Sequence, residues 1–247
     1  MNLSHHSADL HIHSCLSPCG ELEMSPLRIA ERAKDVGLDL IAICDHNSAE
    51  NAEAVLEACS KRNLSVIAGM EITTSEEIHI VGLFPDVSAA LAVQEVVYEN
   101  LPGKNDEDVF GIQVVANGDD EVEGFNSRLL IGATALSLQE VIDLIHKKGG
   151  LAIAAHIDRA SFSLISQLGF IPEGLELDGV EVASTADYGD FVDQGTKQWA
   201  VLTSSDAHRL EEIGSKRTTI YAAEPTFNEV GLALRGAEGR RVEIERV

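Results

Sequence analysis

Short runs of β-branched and aliphatic residues alternate with helical patterns almost from end to end of this 247-residue chain. That rhythm is the signature of βα units wound around a largely parallel sheet. The runs that read as strands are 8–13, 38–44, 65–72, 78–84, 151–156, 179–183, 200–205 and 218–222. Helices are expected at 24–36, where Ser25 is placed to cap and Pro26 to open the first turn, and at 48–62, behind a capping box from Asn47 and Glu50. Further helices are expected at 87–99, 137–148, 162–168 and 226–235. The length suits one α/β barrel or, at most, two small domains. The rhythm breaks only at 101–136, where acidic stretches flank a turn at Gly118 and Asp119. Too short for a core of its own, this segment reads as an inserted hairpin or excursion within a single domain spanning 1–247.

Eighteen Lys and Arg face 41 Asp and Glu, a net charge of −23. A duplex-binding protein draws its affinity from many basic contacts to phosphates, so this balance predicts no duplex nucleic acid among the partners. Aromatic residues are only 4% of the chain, which leaves few platforms for single strands. A small anionic substrate stays open, since bound cations can reverse the field inside one cleft. No apolar run reaches the ~18 residues of a membrane span, and a soluble, cytoplasmic protein is expected. The four cysteines, Cys15, Cys19, Cys44 and Cys59, show no disulfide-framework spacing, and Cys44 and Cys59 read as reduced and buried.

The histidines carry the functional signal. Of nine, His11, His13, His46, His156 and His208 fall at or just beyond the C-terminal ends of strand candidates, and His79 opens the strand after Glu71. The C-terminal edge of a parallel barrel is where catalytic groups share one mouth. For His79 to reach it, its strand must run antiparallel to its neighbour. In Asp9-Leu-His11-Ile-His13 the imidazoles are two apart, on one side of a strand and about 6 to 7 Å apart at Cα. Ser205-Asp206-Ala-His208 repeats that spacing. His46, rather than its neighbour Asp45, faces the site, and Asp9 and Asp45 are expected to hydrogen-bond to ligand imidazoles from behind. A lone histidine on an apolar strand is usually a core residue. Six together, with Glu71 and Asp206, point instead to metal, because burying so many ionisable groups without it is costly. His146 in a helix, and His5 and His6 in a polar leader, read as surface or helix-terminal residues.

These motifs, with Gly69-Met-Glu71 and Ala155-His156, resemble the polymerase and histidinol phosphatase (PHP) family across residues 9 to 208. The resemblance implies a distorted TIM-like (β/α)7 barrel with a metal cluster at the C-terminal mouth of the strands. It implies that His11, His13, Glu71 and Asp206 hold one metal. Glu71 then bridges to a second on His79 and His156, and His46 and His208 hold a third. Relatives usually supply an Asp or His to the third metal where this chain has Cys19, so either Cys19 or Glu21 is the candidate there. A thiolate favours Zn or Fe over Mn. Two to three divalent ions, Zn, Mn or Fe, are expected.

Such a cluster suits phosphate ester hydrolysis, activating a bridging hydroxide and clamping the attacking and leaving oxygens. Glu71, Asp206 and His208 are the residues expected to carry catalysis. Ser14, Ser204 and Ser205 sit in no nucleophile elbow and read as hydrogen-bonding or turn residues. Arg159 and Arg209 are candidates for binding substrate phosphate, with Lys216 and Arg217 behind them, the alternative being surface ion pairs. The expected activity is that of a metal-dependent phosphoric ester hydrolase on a small phosphorylated metabolite, a nucleotide or nucleoside 3′,5′-bisphosphate. Histidinol-phosphate phosphatase, 5′ to 3′ exonuclease on short oligonucleotides, and a noncatalytic metal-binding module are the alternatives.

Overall fold

A computed structural model describes residues 2–184 and 198–244. Strand β1 (Ser4–Ile12) pairs in parallel with β2 (Leu40–Ile43), and β2 with β3 (Ser65–Thr73). The direction then reverses. A tight connection, closed by Thr74 N–H donating to the Ile78 carbonyl, turns the chain into β4 (His79–Phe84), antiparallel to β3. So short a link permits no parallel crossover. It also puts His79 directly opposite Thr73, at the end where β3 finishes, as the sequence required. Beyond β4 come β7 (Leu151–Ala154), antiparallel to it, then β8 (Gly179–Glu181) and β9 (Ala200–Leu202) in parallel.

After β9 the chain returns to β1. His13 N–H donates to the Ala207 carbonyl at 3.0 Å, and Ile12 bridges Ala207 in parallel. Seven strands, β1-β2-β3-β4-β7-β8-β9, thereby form a nearly closed ring, the expected distorted barrel. Strand β10 (Thr218–Ala222) runs antiparallel to the first half of β1, and β11 (Arg241–Ile244), which the sequence reading missed, pairs with β10. The polar leader is also a correction: His5 and His6 belong to β1 and pair with Tyr221 and Ile220.

Period-two alternation assigns each strand an inner and an outer face. Leu40, Ala42, Cys44, Ile67, Val81, Leu83, Leu151 and Ile153 fill the barrel, while Ile41, Ile43, Met70, Ile72, Ile80 and Val180 face the helices. Helices α1 (Pro26–Asp35), α2 (Ala52–Ser60) and α3 (Val87–Glu99) cover one part of that exterior. The 101–136 segment follows, as a short α4 (Glu107–Phe110) and a hairpin of β5 (Val114–Ala116) and β6 (Val122–Phe125). Helices α5 (Leu138–Lys147), α6 (Leu164–Leu168) and α7 (Phe227–Leu234) complete the cover. Cys15, Cys44 and Cys59 are buried and free. Among the described residues, no helix is long and apolar enough to cross a membrane.

Two capping expectations resolve differently. Ser25 adopts the N-cap conformation, but its hydroxyl donates to Asp120 of the hairpin, and Asp120 itself accepts from Leu27 N–H at 2.8 Å. The orphan donor of α1 is thus met from the excursion. Helix α2 starts at Ala52, later than expected, because Asn47 is used elsewhere. With φ of 51°, it receives Thr73 N–H on its carbonyl and donates its amide to the Leu130 and Gly132 carbonyls. That side chain ties the excursion to the end of β3.

Gly69 of β3 sits in close approach to the end of β2 beneath the mouth. A Cβ there would lie 2.7 Å from Cys44 Sγ and 2.9 Å from the Ile43 carbonyl oxygen. Gly69→Ala is expected to lower stability by about 1–3 kcal/mol, read as a reduced urea midpoint with an unchanged slope.

Candidate metal centre

Inward parity brings the site together. Ala68, Met70 and Ile72 face outward, so Glu71 faces inward, and the same rule turns His79 and His46 in. Strand β1 needs a further device. Leu10 packs inside and Ile12 outside, although residues two apart normally share a face. The β1–β2 register shifts between Asp9 and Ile12, a bulge that re-aims the strand and leaves His11 and His13 facing the centre. His156 and Asp206 reach it through positive φ values of 29° and 52°, conformations usually held in place by function-bearing surroundings.

Glu71 lies at the middle, 1% exposed. Its Oε1 is 2.8 Å from His79 Nδ1, 3.2 Å from His156 Nε2 and 3.4 Å from His11 Nε2. Its Oε2 is 3.0 Å from His46 Nδ1 and 3.4 Å from His13 Nε2. Asp206 Oδ1 stands 3.0 Å from His13 Nε2 and 3.3 Å from His11 Nε2. Three overlapping donor groups result: His11 with His13, Glu71 and Asp206; His46 with Glu71 and His79; and His13 with His46 and His208. Within each, the donor atoms lie within 4.8 Å of one another, close to the spread expected around one ion with bonds of about 2.0–2.2 Å. His156 meets the cluster through Glu71 and lies outside these three groups.

The donor set fits divalent cations. Asp206 Oδ1 and His46 Nδ1 are buried and close to opposite partners, yet neither makes an aligned hydrogen bond. Their lone pairs point into shared space. Burial alone would raise the Glu71 carboxyl, but His79, His11 and His46 hold it well below its ordinary value. Burial likewise opposes charge on His13, but hydrogen bonds to Asp206 and Glu71 raise it to about 9. His208 goes the other way, pushed to about 3 by burial and by the neighbouring His13. The carboxylates pull positive charge into the cluster, and a divalent ion satisfies them while keeping the imidazoles neutral.

The support behind the imidazoles differs from expectation. Asp45 does not touch one. It accepts from Ser14 N–H, from the Ser14 hydroxyl and, at 2.7 Å, from the Ser17 hydroxyl, and Ser17 Oγ accepts from His13 Nδ1 at 2.8 Å. Asp9 accepts from the backbone N–H of Ser205 and Gly214, so it shapes the loop carrying Asp206 and His208. The carboxylate that meets an imidazole is one sequence reasoning missed. Glu181 Oε1, buried at the end of β8, lies 3.1 Å from His11 Nδ1 and accepts from His156 N–H at 3.3 Å. Val180 and Val182 face outward, so a lone charge between them in Gly-Val-Glu-Val was the available signal. Ser17 and Glu181 fix the ring tautomers and leave Nε2 of His13 and His11 aimed at the centre.

A cavity of about 190 Å³ opens over the cluster, lined by His46, Glu71, His79, Ile131, His156, Arg159, Phe162, Asp206 and His208. Arg159 forms an ion pair with Asp206 at its edge. Arg209 is not a lining residue: its exposed side chain pairs with Glu21 at 3.1 Å. Arg217 donates to the Gly214 carbonyl, and neither it nor Lys216 lines the cavity. Cys19 is exposed and neighbours His46 without joining the three donor groups.

Residues 9–168 match the model of the PHP domain. A 5′-3′ exoribonuclease of Haemophilus influenzae is 27% identical over 192 residues, covering 60% of this chain and 68% of the relative. The lesion-specific endonuclease of Pyrococcus furiosus superposes with a TM-score of 0.75 at 20% identity, over 97% of this chain but 58% of that one. An endonuclease Q complexed with a 27-mer duplex bearing an abasic lesion gives a TM-score of 0.73 at 21% identity, over 96% of this chain and 58% of that one. These relatives correct the expectation of a small phosphorylated substrate with no duplex nucleic acid. Net charge sums the whole surface, whereas a phosphate feels the field within about a Debye length of 8–10 Å. At this mouth Arg159, with any cations the donors hold, would set that field. With a family match over more than half its length and the cluster at the expected strand ends, the chain belongs to the PHP domain family of metal-dependent phosphoesterases.

Proposed function

We propose that this protein hydrolyses phosphate esters of nucleotides, working 5′ to 3′ from the ends of short oligonucleotides, with a nucleoside 3′,5′-bisphosphate as the smallest substrate. The observation that carries this reading is the cavity over the cluster. At about 190 Å³ it is smaller than the pockets of roughly 300–1,000 Å³ that engulf whole drug-sized ligands. It suits a phosphate and its sugar entering at a chain end. The 5′-3′ exoribonuclease relative supports the same direction.

In this reading His11, His13, Glu71 and Asp206 would hold one ion, Glu71, His79, His156 and His46 would serve a second, and His46, His13 and His208, with Cys19 or Glu21, would serve a third. Two or three such ions, Zn, Mn or Fe, would activate water and offset charge on the phosphoryl group. The chain's own residues prepare the rest. Glu181 and Ser17 orient the imidazoles, Asp9 shapes the loop bearing Asp206, and Arg159 offers a planar fork to a substrate oxygen. Glu21 is engaged by Arg209, which favours Cys19 for the third ion.

Metal-loaded protein is expected to release mononucleotides from 5′-labelled oligoribonucleotides of a few residues, resolved by chromatography. Inactivity on these and on adenosine 3′,5′-bisphosphate would return the protein to the noncatalytic alternative. Glu71→Ala and Asp206→Ala are each expected to reduce turnover more than about 100-fold and to lower bound metal, with the far-ultraviolet dichroism retained. Glu181→Gln keeps shape but removes the charge behind His11, and metal affinity measured by competition with a chelator should fall about 10–100-fold. Cys19→Ser should reduce metal content by one equivalent in elemental analysis. Unchanged stoichiometry would assign the place to Glu21.

A further inference from the structure

Of the residues lining the cavity, two are apolar, Ile131 and Phe162, and both are held in place more firmly than a casual rim would need. Phe162 sits at φ of 55°, a left-handed conformation that bulky residues rarely adopt. Three contacts hold it there. Its carbonyl accepts from His79 N–H at 3.0 Å, and its ring stacks on the His79 imidazole with centroids 4.8 Å apart and planes at 23°. The next residue, Ser163, donates to the Arg159 carbonyl at 2.8 Å and caps α6. Despite this fixation the residue remains 42% exposed. Ile131 comes from a different segment, the 101–136 excursion. The carbonyls flanking it, from Leu130 and Gly132, are both gripped by the Asn47 amide at 2.8 Å.

We propose that Phe162 and Ile131 form a base-binding subsite, in which the nucleobase of a substrate lies against Phe162 while its phosphate occupies the metal-lined end of the cavity. The inference rests on the nucleotide phosphoesterase reading and deepens it by naming what recognises the substrate's non-phosphate part. A sugar alone would be recognised by hydrogen-bonding side chains. The rim offers it an aromatic face and an aliphatic branch, which match a planar, largely apolar ring. Every base has such a face, so the subsite tolerates sequence while rejecting phosphates that carry no base. The strained backbone is consistent with this use, because it turns the ring over the cluster instead of into the core. It also gives the 101–136 excursion a part in the site, through Ile131.

The test measures binding by calorimetry on metal-loaded protein with two probes, adenosine 5′-phosphate and ribose 5-phosphate, which lacks the base. The native protein is expected to bind the adenosine compound at least about tenfold more tightly. Phe162→Ala should abolish that preference while leaving ribose 5-phosphate affinity and metal content unchanged, and Phe162→Trp should retain it. Equal affinity for both probes, no binding of either, or an equal loss for both in Phe162→Ala would overturn the subsite. The last outcome would mean that Phe162 only shields His79. Parallel hydrolysis assays separate the two readings. A base preference in binding without release of mononucleotides from oligonucleotides overturns the 5′ to 3′ oligonucleotide reading and leaves the subsite standing. Hydrolysis without base preference does the reverse.

Discussion

One buried carboxylate organises the molecule. Glu71 has five imidazole nitrogens within 3.4 Å, from β1, β3's neighbour β4, the end of β2 and the turn after β7. An isolated carboxylate at 1% exposure would be expelled or protonated. Here the surrounding rings hold it ionised. His11, His13 and His46 need Glu71 or Asp206 in turn, because burial disfavours a charged imidazole and close negative charge restores it. The barrel therefore closes around a set of groups that are tolerable only together, and the fit of that set to divalent ions follows from its charge balance.

That demand explains the irregularities of an otherwise regular sheet. The bulge in β1, the reversed strand β4 and the positive φ angles at His156 and Asp206 all occur where a ligand candidate must be re-aimed. Away from the mouth the strands follow ordinary alternation. Strain is concentrated where six histidines and two carboxylates would otherwise point past one another, and the hydrogen bonds accepted by the side chains of Asp9, Asp45, Glu181 and Asn47 hold the distorted segments in place.

The acidic character of the chain is separate from this centre. Many of its carboxylates lie on exposed surface, including the 101–136 hairpin, where Glu121 and Glu123 flank Val122. A reading of partners from net charge failed because it averaged over that surface. The mouth is a small enclosed region whose field is set locally by Arg159 and by whatever cations the donors hold. Relatives that act on RNA ends or duplex DNA fit this local account.

Much of the fold and most of the centre were legible in the sequence, because both rest on local rules. Strand alternation turned Glu71, His79 and His46 inward, the two-residue spacing paired His11 with His13, and the position of His79 required the antiparallel β4. What could not be read were relations between segments distant in the chain. Glu181 supports His11 from 170 residues away, and Asp120 caps a helix that begins 94 residues before it. Arg209 turned to Glu21, and Ile131 and Phe162 came to line one cavity from separate loops. The amino-acid sequence by itself determined which imidazoles and carboxylates converge at a barrel mouth, since periodicity and residue type are local properties. Only the tertiary structure decided which carboxylate stands behind which ring and what surrounds the substrate, because those contacts depend on where the closed sheet places loops that share no local pattern.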